Sequence, residues 1–146
     1  MADFLKDYQR DAVSRMKNGC ILNGGVGSGK SRTGLYYYFK EQGGWIINQD
    51  YHDMQNPKDL YIITTAQKRD KLEWDVELAN FAMSTDSKIS RYDNIVKIDS
   101  WNNIKKYIDV KNAFFIFDED KVTGYGTWAK AFLKIVKYND WIILSA

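Results

Sequence analysis

The sequence predicts an α/β fold in three layers, with a mainly parallel central sheet covered by helices on both faces. Two observations lead there. Short apolar runs recur between stretches of helical spacing, the pattern of strands buried on both faces and joined by helical crossovers. A glycine-rich turn, "NGGVGSGKS" at residues 23 to 31, lies between the first such run and a helical stretch. In sheets of this kind ligands bind at the carboxyl ends of the strands, where this turn falls.

Leu5, Tyr8, Ala12, Val13 and Met16 follow helical spacing and Asn18-Gly19 supplies a stop, which predicts a helix over Asp7 to Lys17. Cys20 to Leu22 reads as a short buried strand, with Cys20 in the core. After the glycine turn, residues 31 to 42 read as a helix stopped by Gly43-Gly44. Residues 45 to 59 have no sustained period and contain Pro57, the only proline. They read as an irregular connection with a short strand at Trp45 to Ile47, and His52 reads as a loop residue.

The alternation then resumes with a strand at Leu60 to Thr64, a helix over Gln67 to Ala82 and a strand at Ile95 to Ile98. A helix over Trp101 to Tyr107, capped by Ser100, is followed by a strand at Ala113 to Phe117. A helix over Thr127 to Lys137 and a strand at Trp141 to Leu144 complete the pattern. Aromatic residues are 15% of the chain and fall mostly on the buried stripes of these elements, so they read as core. Trp101 is the exception, a candidate for stacking on a base.

The 146 residues suffice for one domain with its own core, and 45% hydrophobic against 27% charged residues is the profile of a folded globular chain. With one cysteine and one histidine, neither an internal disulfide nor a Cys/His metal cluster is expected. No apolar run reaches the roughly 20 residues needed to span a bilayer, and "MADFLKDYQR" lacks a secretory apolar stretch, so a cytoplasmic location away from membranes is expected. The net charge of +2 admits a nucleic-acid partner without requiring one.

Gly24, Gly29, Lys30 and Ser31 fit the phosphate-binding pattern G-x-x-x-x-G-K-[ST], placed between strand and helix. The backbone from Gly24 through Gly25, Val26, Gly27 and Ser28 to Gly29 is expected to wrap its N–H groups around a phosphate at the positive end of a helix. Lys30 then reaches the β- and γ-phosphates and Ser31 gives one ligand to Mg²⁺, with Arg32 closing the candidate nucleotide-binding stretch. "AFFIFDED", residues 113 to 120, supplies the complementary acids. Asp118, where the apolar strand runs out, suits the Mg²⁺ shell, and Glu119 suits a general base for the attacking water. Lys68, Arg69 and Lys71 follow a strand on the same edge, together with Thr65 and Gln67, and are candidate contacts to nucleic-acid phosphates.

Together these motifs resemble the first RecA-like domain of superfamily 2 helicases and translocases, a branch of P-loop NTPases, with features of its Swi/Snf-type and phage-encoded members. "LKDYQRDAV", residues 5 to 13, is similar to the adenine-recognising element, which implies that Gln9 bonds the adenine edge. "YIITTAQKRDKLEWDVEL", residues 61 to 78, resembles motif Ia, with Trp74 and Glu77 spaced as in the Swi/Snf branch. "IVKIDSWNNI", residues 95 to 104, resembles the next strand and its nucleic-acid loop, which implies that Ser100 approaches a backbone phosphate beside Trp101. "FDED" stands for the Asp-Glu box, and "ILSA", residues 143 to 146, resembles the start of the motif coupling nucleotide state to nucleic-acid binding.

The resemblance implies a RecA-like ATP-binding domain over residues 1 to 146 that ends inside the coupling motif, monomeric by itself and lacking the second RecA-like domain with its arginine fingers. It implies an ATP- and Mg²⁺-dependent motor on double-stranded DNA, with little turnover by this chain alone. Lys121 stands where relatives usually carry His or Asp, so its coupling contact to Ser145 departs from the family pattern. Two further readings stand beside it: a viral DNA-packaging, terminase-like ATPase, and a nucleotide-dependent binding module without motor activity.

Overall fold

The computed structural model describes residues 5–24, 29–119 and 126–145. The first half runs α1 (Asp7–Arg15), β1 (Ile21–Asn23), α2 (Lys30–Glu41), β2 (Trp45–Ile47), β3 (Asp50–His52) and β4 (Leu60–Thr64). The second runs α3 (Ala66–Asp70), α4 (Glu73–Ala79), β5 (Val96–Ser100), a 3-10 helix (Trp101–Tyr107), β6 (Phe114–Asp118), α5 (Thr127–Val136) and β7 (Asp140–Ser145). Five strands form one sheet in the order β1, β7, β6, β4, β5, and every pairing in it is parallel.

Side chains alternate across a strand, so a strand apolar at every position must be covered on both faces. Phe114 and Ile116 of β6 pack with Leu60, Ile62, Ile142 and Leu144 under α1, α2 and α4. Phe115 and Phe117 pack on the other side with Ile63 and Ile143, under α5 and the 3-10 helix. The α/β, three-layer expectation therefore holds at the level of architecture. Burying one such Leu, Ile or Phe contributes about 1.5–3 kcal/mol, which makes β6, apolar on both faces, the strand the core depends on most. On α2 the residues from Thr33 through Phe39 are all buried, including the three consecutive tyrosines. Gly34 permits this close approach, because a Cβ there would stand 3.1 Å from Leu144 Cδ2.

Five local expectations are corrected. The predicted helix 67–82 is two helices, broken at Leu72, whose φ of 58° is left-handed. That conformation costs roughly 1–2 kcal/mol, and the break turns α4 so that Trp74 is buried. His52 is not a loop residue: β3 pairs antiparallel with β2, and the His52 ring stacks on Trp45. Residues 101 to 107 wind as a 3-10 helix, whose period of three lines Trp101, Ile104 and Tyr107 along one buried face. Ser100 makes no side-chain cap there, and Cys20 sits just before β1, half-buried against the core.

The topology also positions a cleft. β4 leads into α3 and α4 and then to β5, whereas its neighbour β6 leads into α5 on the opposite face and then to β7. Adjacent parallel strands whose connections diverge in this way leave a crevice at their carboxyl ends. Among the described residues no helix is long and apolar enough to cross a membrane.

Candidate nucleotide and metal site

The glycine turn leaves β1 and returns as the N-terminus of α2. Gly24 N donates to Ser145 O at 3.1 Å, fixing the start of the turn to the end of β7. Gly29, the N-cap of α2, has a φ of 74°, a conformation open to glycine and strained for other residues. Its carbonyl accepts the Thr33 backbone N–H at 3.0 Å, the Thr33 hydroxyl at 2.9 Å and Gln9 Nε2 at 3.2 Å. Gln9 is buried, and its Oε1 accepts Lys6 N at 2.9 Å, the return half of a capping box on α1. The side chain thus clamps the first turn of α1 onto the turn, and its amide retains one further donor and one further acceptor.

Lys30 Nζ donates to Gly24 O at 2.9 Å, so the ammonium spans the mouth of the turn. Ser31 is half-buried at the second position of α2. Arg32, expected among the nucleotide contacts, instead forms paired bonds with Glu77, Nε to Oε2 at 3.1 Å and Nη2 to Oε1 at 3.4 Å. It braces α2 against α4. Gly25, Val26, Gly27, Ser28 and Lys121 lie outside the described residues.

Two strands away, β6 ends in the acids. Asp118 is 3% exposed, and its Oδ2 accepts the Thr64 hydroxyl at 2.8 Å, Trp74 Nε1–H at 2.9 Å and Lys68 Nζ at 3.4 Å. Among the described residues Oδ1 takes no hydrogen bond, whereas Oδ2 is fixed by three. The Asp118 carbonyl accepts Trp101 Nε1–H at 3.0 Å. Glu119 follows with a φ of 65°, strained for a residue with a Cβ. Its N–H donates to Leu144 O at 2.9 Å, so the glycine turn and the acid pair are both tied to the end of β7. Its Oε1 pairs with Lys68 Nζ at 3.0 Å.

The residues assigned to nucleic acid from sequence fall into two groups. Thr65 caps α3 by accepting Lys68 N at 3.2 Å, and Gln67 is exposed. Lys68 reaches the acid pair, and Arg69 bonds Asp99 at 3.1 Å and Asp70 at 3.0 Å. Burial pushes the Lys68 ammonium down, but Asp118 and Glu119 outweigh it and hold the group above the usual lysine value. Ser100 and Trp101 are each 2% exposed, so neither side chain lies open at the surface of this structure. Trp101 instead packs against Phe117 and Trp128 and anchors the end of β6. Ser145 is half-buried at the end of β7.

Thr64 and Asp99, outside the sequence-based set, and Trp74, read there only as part of a motif, organise the site. Thr64 and Trp74 hold Asp118, and Asp99 holds Arg69. Burial raises the Asp99 carboxyl, but bonds from Asn103, Tyr107, the Ser100 N–H and Arg69 outweigh it and leave the group below the usual carboxylate range. A polar residue closing an apolar strand was the one sequence signal for Thr64.

The donor set fits a magnesium nucleotide. Ser31 and Asp118 offer the hard oxygen ligands that Mg²⁺ prefers. The first turn of α2 has a glycine N-cap, contains no acid and carries Lys30, which suits a phosphate chain. Compared with known families and curated proteins, the chain matches no family model and no curated sequence.

Proposed function

We propose that the chain is the ATP-binding half of a nucleic-acid-dependent ATPase of the helicase or double-stranded DNA translocase type, built on a RecA-like P-loop domain. The observation that supports this best is the strand order. With β7 alone between β1 and β6, the ends of the glycine-turn strand and the acid strand stand about 10 Å apart at the usual strand spacing, on the same sheet edge. That span suits a phosphate chain bound at one side with a metal between.

In this reading the backbone of the turn and Lys30 hold the phosphates, Gln9 offers its remaining donor and acceptor to the adenine edge, and Ser31 and Asp118 hold Mg²⁺. Bound Mg²⁺ neutralises charge that develops on the phosphates. Thr64 and Trp74 keep Asp118 in one orientation, and Glu119 takes the proton of the attacking water on its carboxylate. The exposed side of α3, with Gln67 and the C-cap residue Lys71, faces nucleic acid.

Calorimetry with Mg-ATP and Mg-GTP tests the assignment, with Lys30→Ala as the control. ATP binding that is lost in Lys30→Ala, with GTP weaker by about 1–3 kcal/mol from a mismatched polar contact, supports an adenine-reading P-loop site. Equal binding by wild type and Lys30→Ala, or no binding, contradicts it.

A further inference from the structure

We propose that Lys68 is a latch on the acid pair: its ammonium restrains Glu119 and Asp118 until a nucleic-acid backbone seated on α3 draws it away. The inference rests on the ATPase reading and names how that site is regulated.

The ammonium stands 3.0 Å from Glu119 Oε1 and 3.4 Å from Asp118 Oδ2. The two acids depend on it unequally. Asp118 is also held by Thr64 and Trp74, whereas among the described residues Lys68 is the one side-chain partner of the Glu119 carboxylate. While Oε1 accepts the ammonium, the Glu119 carboxylate is engaged by Lys68. The latch is built to open. No residue of α3 is buried, so displacing this short helix forfeits little apolar contact, and the chain beyond it turns at Leu72. The Lys68 side chain is 33% exposed, within reach of an incoming anion.

The form of α3 favours a phosphodiester strand. Gln67 and Lys68 lie four and three positions before Lys71, the C-cap of α3, which puts each of them on the same helical side as Lys71. Lys71 has no ion pair among the described residues, whereas Arg69 is committed to Asp99 and Asp70. A strand bearing regularly spaced phosphates can engage Lys71 and compete with Glu119 for Lys68 in the same event. The competition is electrostatic, so it weakens with salt.

The test uses the indole N–H of Trp74, which bonds Asp118 Oδ2 and reports on the acid pair without any nucleotide. Its ¹H–¹⁵N resonance is identified by its loss in Trp74→Phe. A short DNA duplex of mixed sequence is expected to shift this resonance in the wild type and to lose the effect at high salt. In Lys68→Met the resonance is expected to begin shifted and to ignore the duplex, Lys68→Gln should behave alike, and Lys68→Arg should keep the wild-type response. Single-turnover hydrolysis of Mg-ATP should rise about tenfold in Lys68→Met, part of the 10² to 10⁴ that a general base contributes, with no further gain from duplex.

A duplex that fails to bind, or binds without moving the indole resonance, overturns the latch. So does a Lys68→Met protein that binds Mg-ATP but hydrolyses it no faster than wild type. If the wild type binds no Mg-ATP, the ATPase reading fails separately, and the indole response still decides whether Lys68 links α3 to the acid pair.

Discussion

Trp74 Nε1–H donates to Asp118 Oδ2 at 2.9 Å, although 44 residues separate the two in the chain. Both are almost fully enclosed, so the bond joins a buried donor to a buried carboxylate where water cannot replace either partner. Together with the Thr64 hydroxyl it fixes the orientation of the Asp118 carboxylate.

Trp74→Phe keeps most of the ring and removes the donor. The expected loss of stability is about 1.5–3 kcal/mol, the range for a hydrogen bond to a charged group. Urea unfolding checks it: the midpoint should fall with an unchanged slope, the sign of a stability change without a change in compactness. A midpoint equal to wild type would mean that the bond contributes nothing.

Gly29→Ala tests the turn. At a φ of 74° an alanine is strained, and its Cβ would stand 2.5 Å from Gln9 Nε2. The end of the Gln9 side chain can shift, so backbone strain sets the cost, about 1–2 kcal/mol. Thermal unfolding should show the loss, and the Gln9 side-chain amide resonances should move with it.

Asp99 gives a pH dependence with a definite sign. Its folded-state pKa lies below the ordinary 3.8, because hydrogen bonds outweigh the effect of burial. The folded protein therefore binds this proton less readily than the unfolded chain, and the contribution is complete above the ordinary value. It is lost as pH falls through the depressed value. Wild type should lose stability below about pH 4 more steeply than Asp99→Asn, as measured by unfolding free energies across the acid range.

The central strands β4, β6 and β7 were legible because their apolar runs are short, continuous and largely buried on both faces, as in "FFIF" of β6. The hairpin partner β3 was not, since Asp50, Tyr51 and His52 are all exposed and no buried face imposes a period. Nor was the break at Leu72, which neither glycine nor proline marks. Trp101, Ile104 and Tyr107 recur every third residue, which fits two turns of an α-helix nearly as well as a 3-10 helix. In the site, Gly29, Lys30, Asp118 and Glu119 were readable as local motifs. The destination of Lys68 was not, because it depends on β4 lying beside β6, a pairing of residues some fifty positions apart.

The decisive measurement is the magnesium dependence of ATP affinity in wild type and in Asp118→Asn. If the glycine turn and the end of β6 form one site, Mg²⁺ should raise wild-type affinity by about tenfold or more, equivalent to about 1.4 kcal/mol, and Asp118→Asn should lose most of that gain while still binding metal-free ATP. An equal magnesium effect in both proteins would contradict a shared site and leave Asp118 as a structural carboxylate held by Thr64 and Trp74.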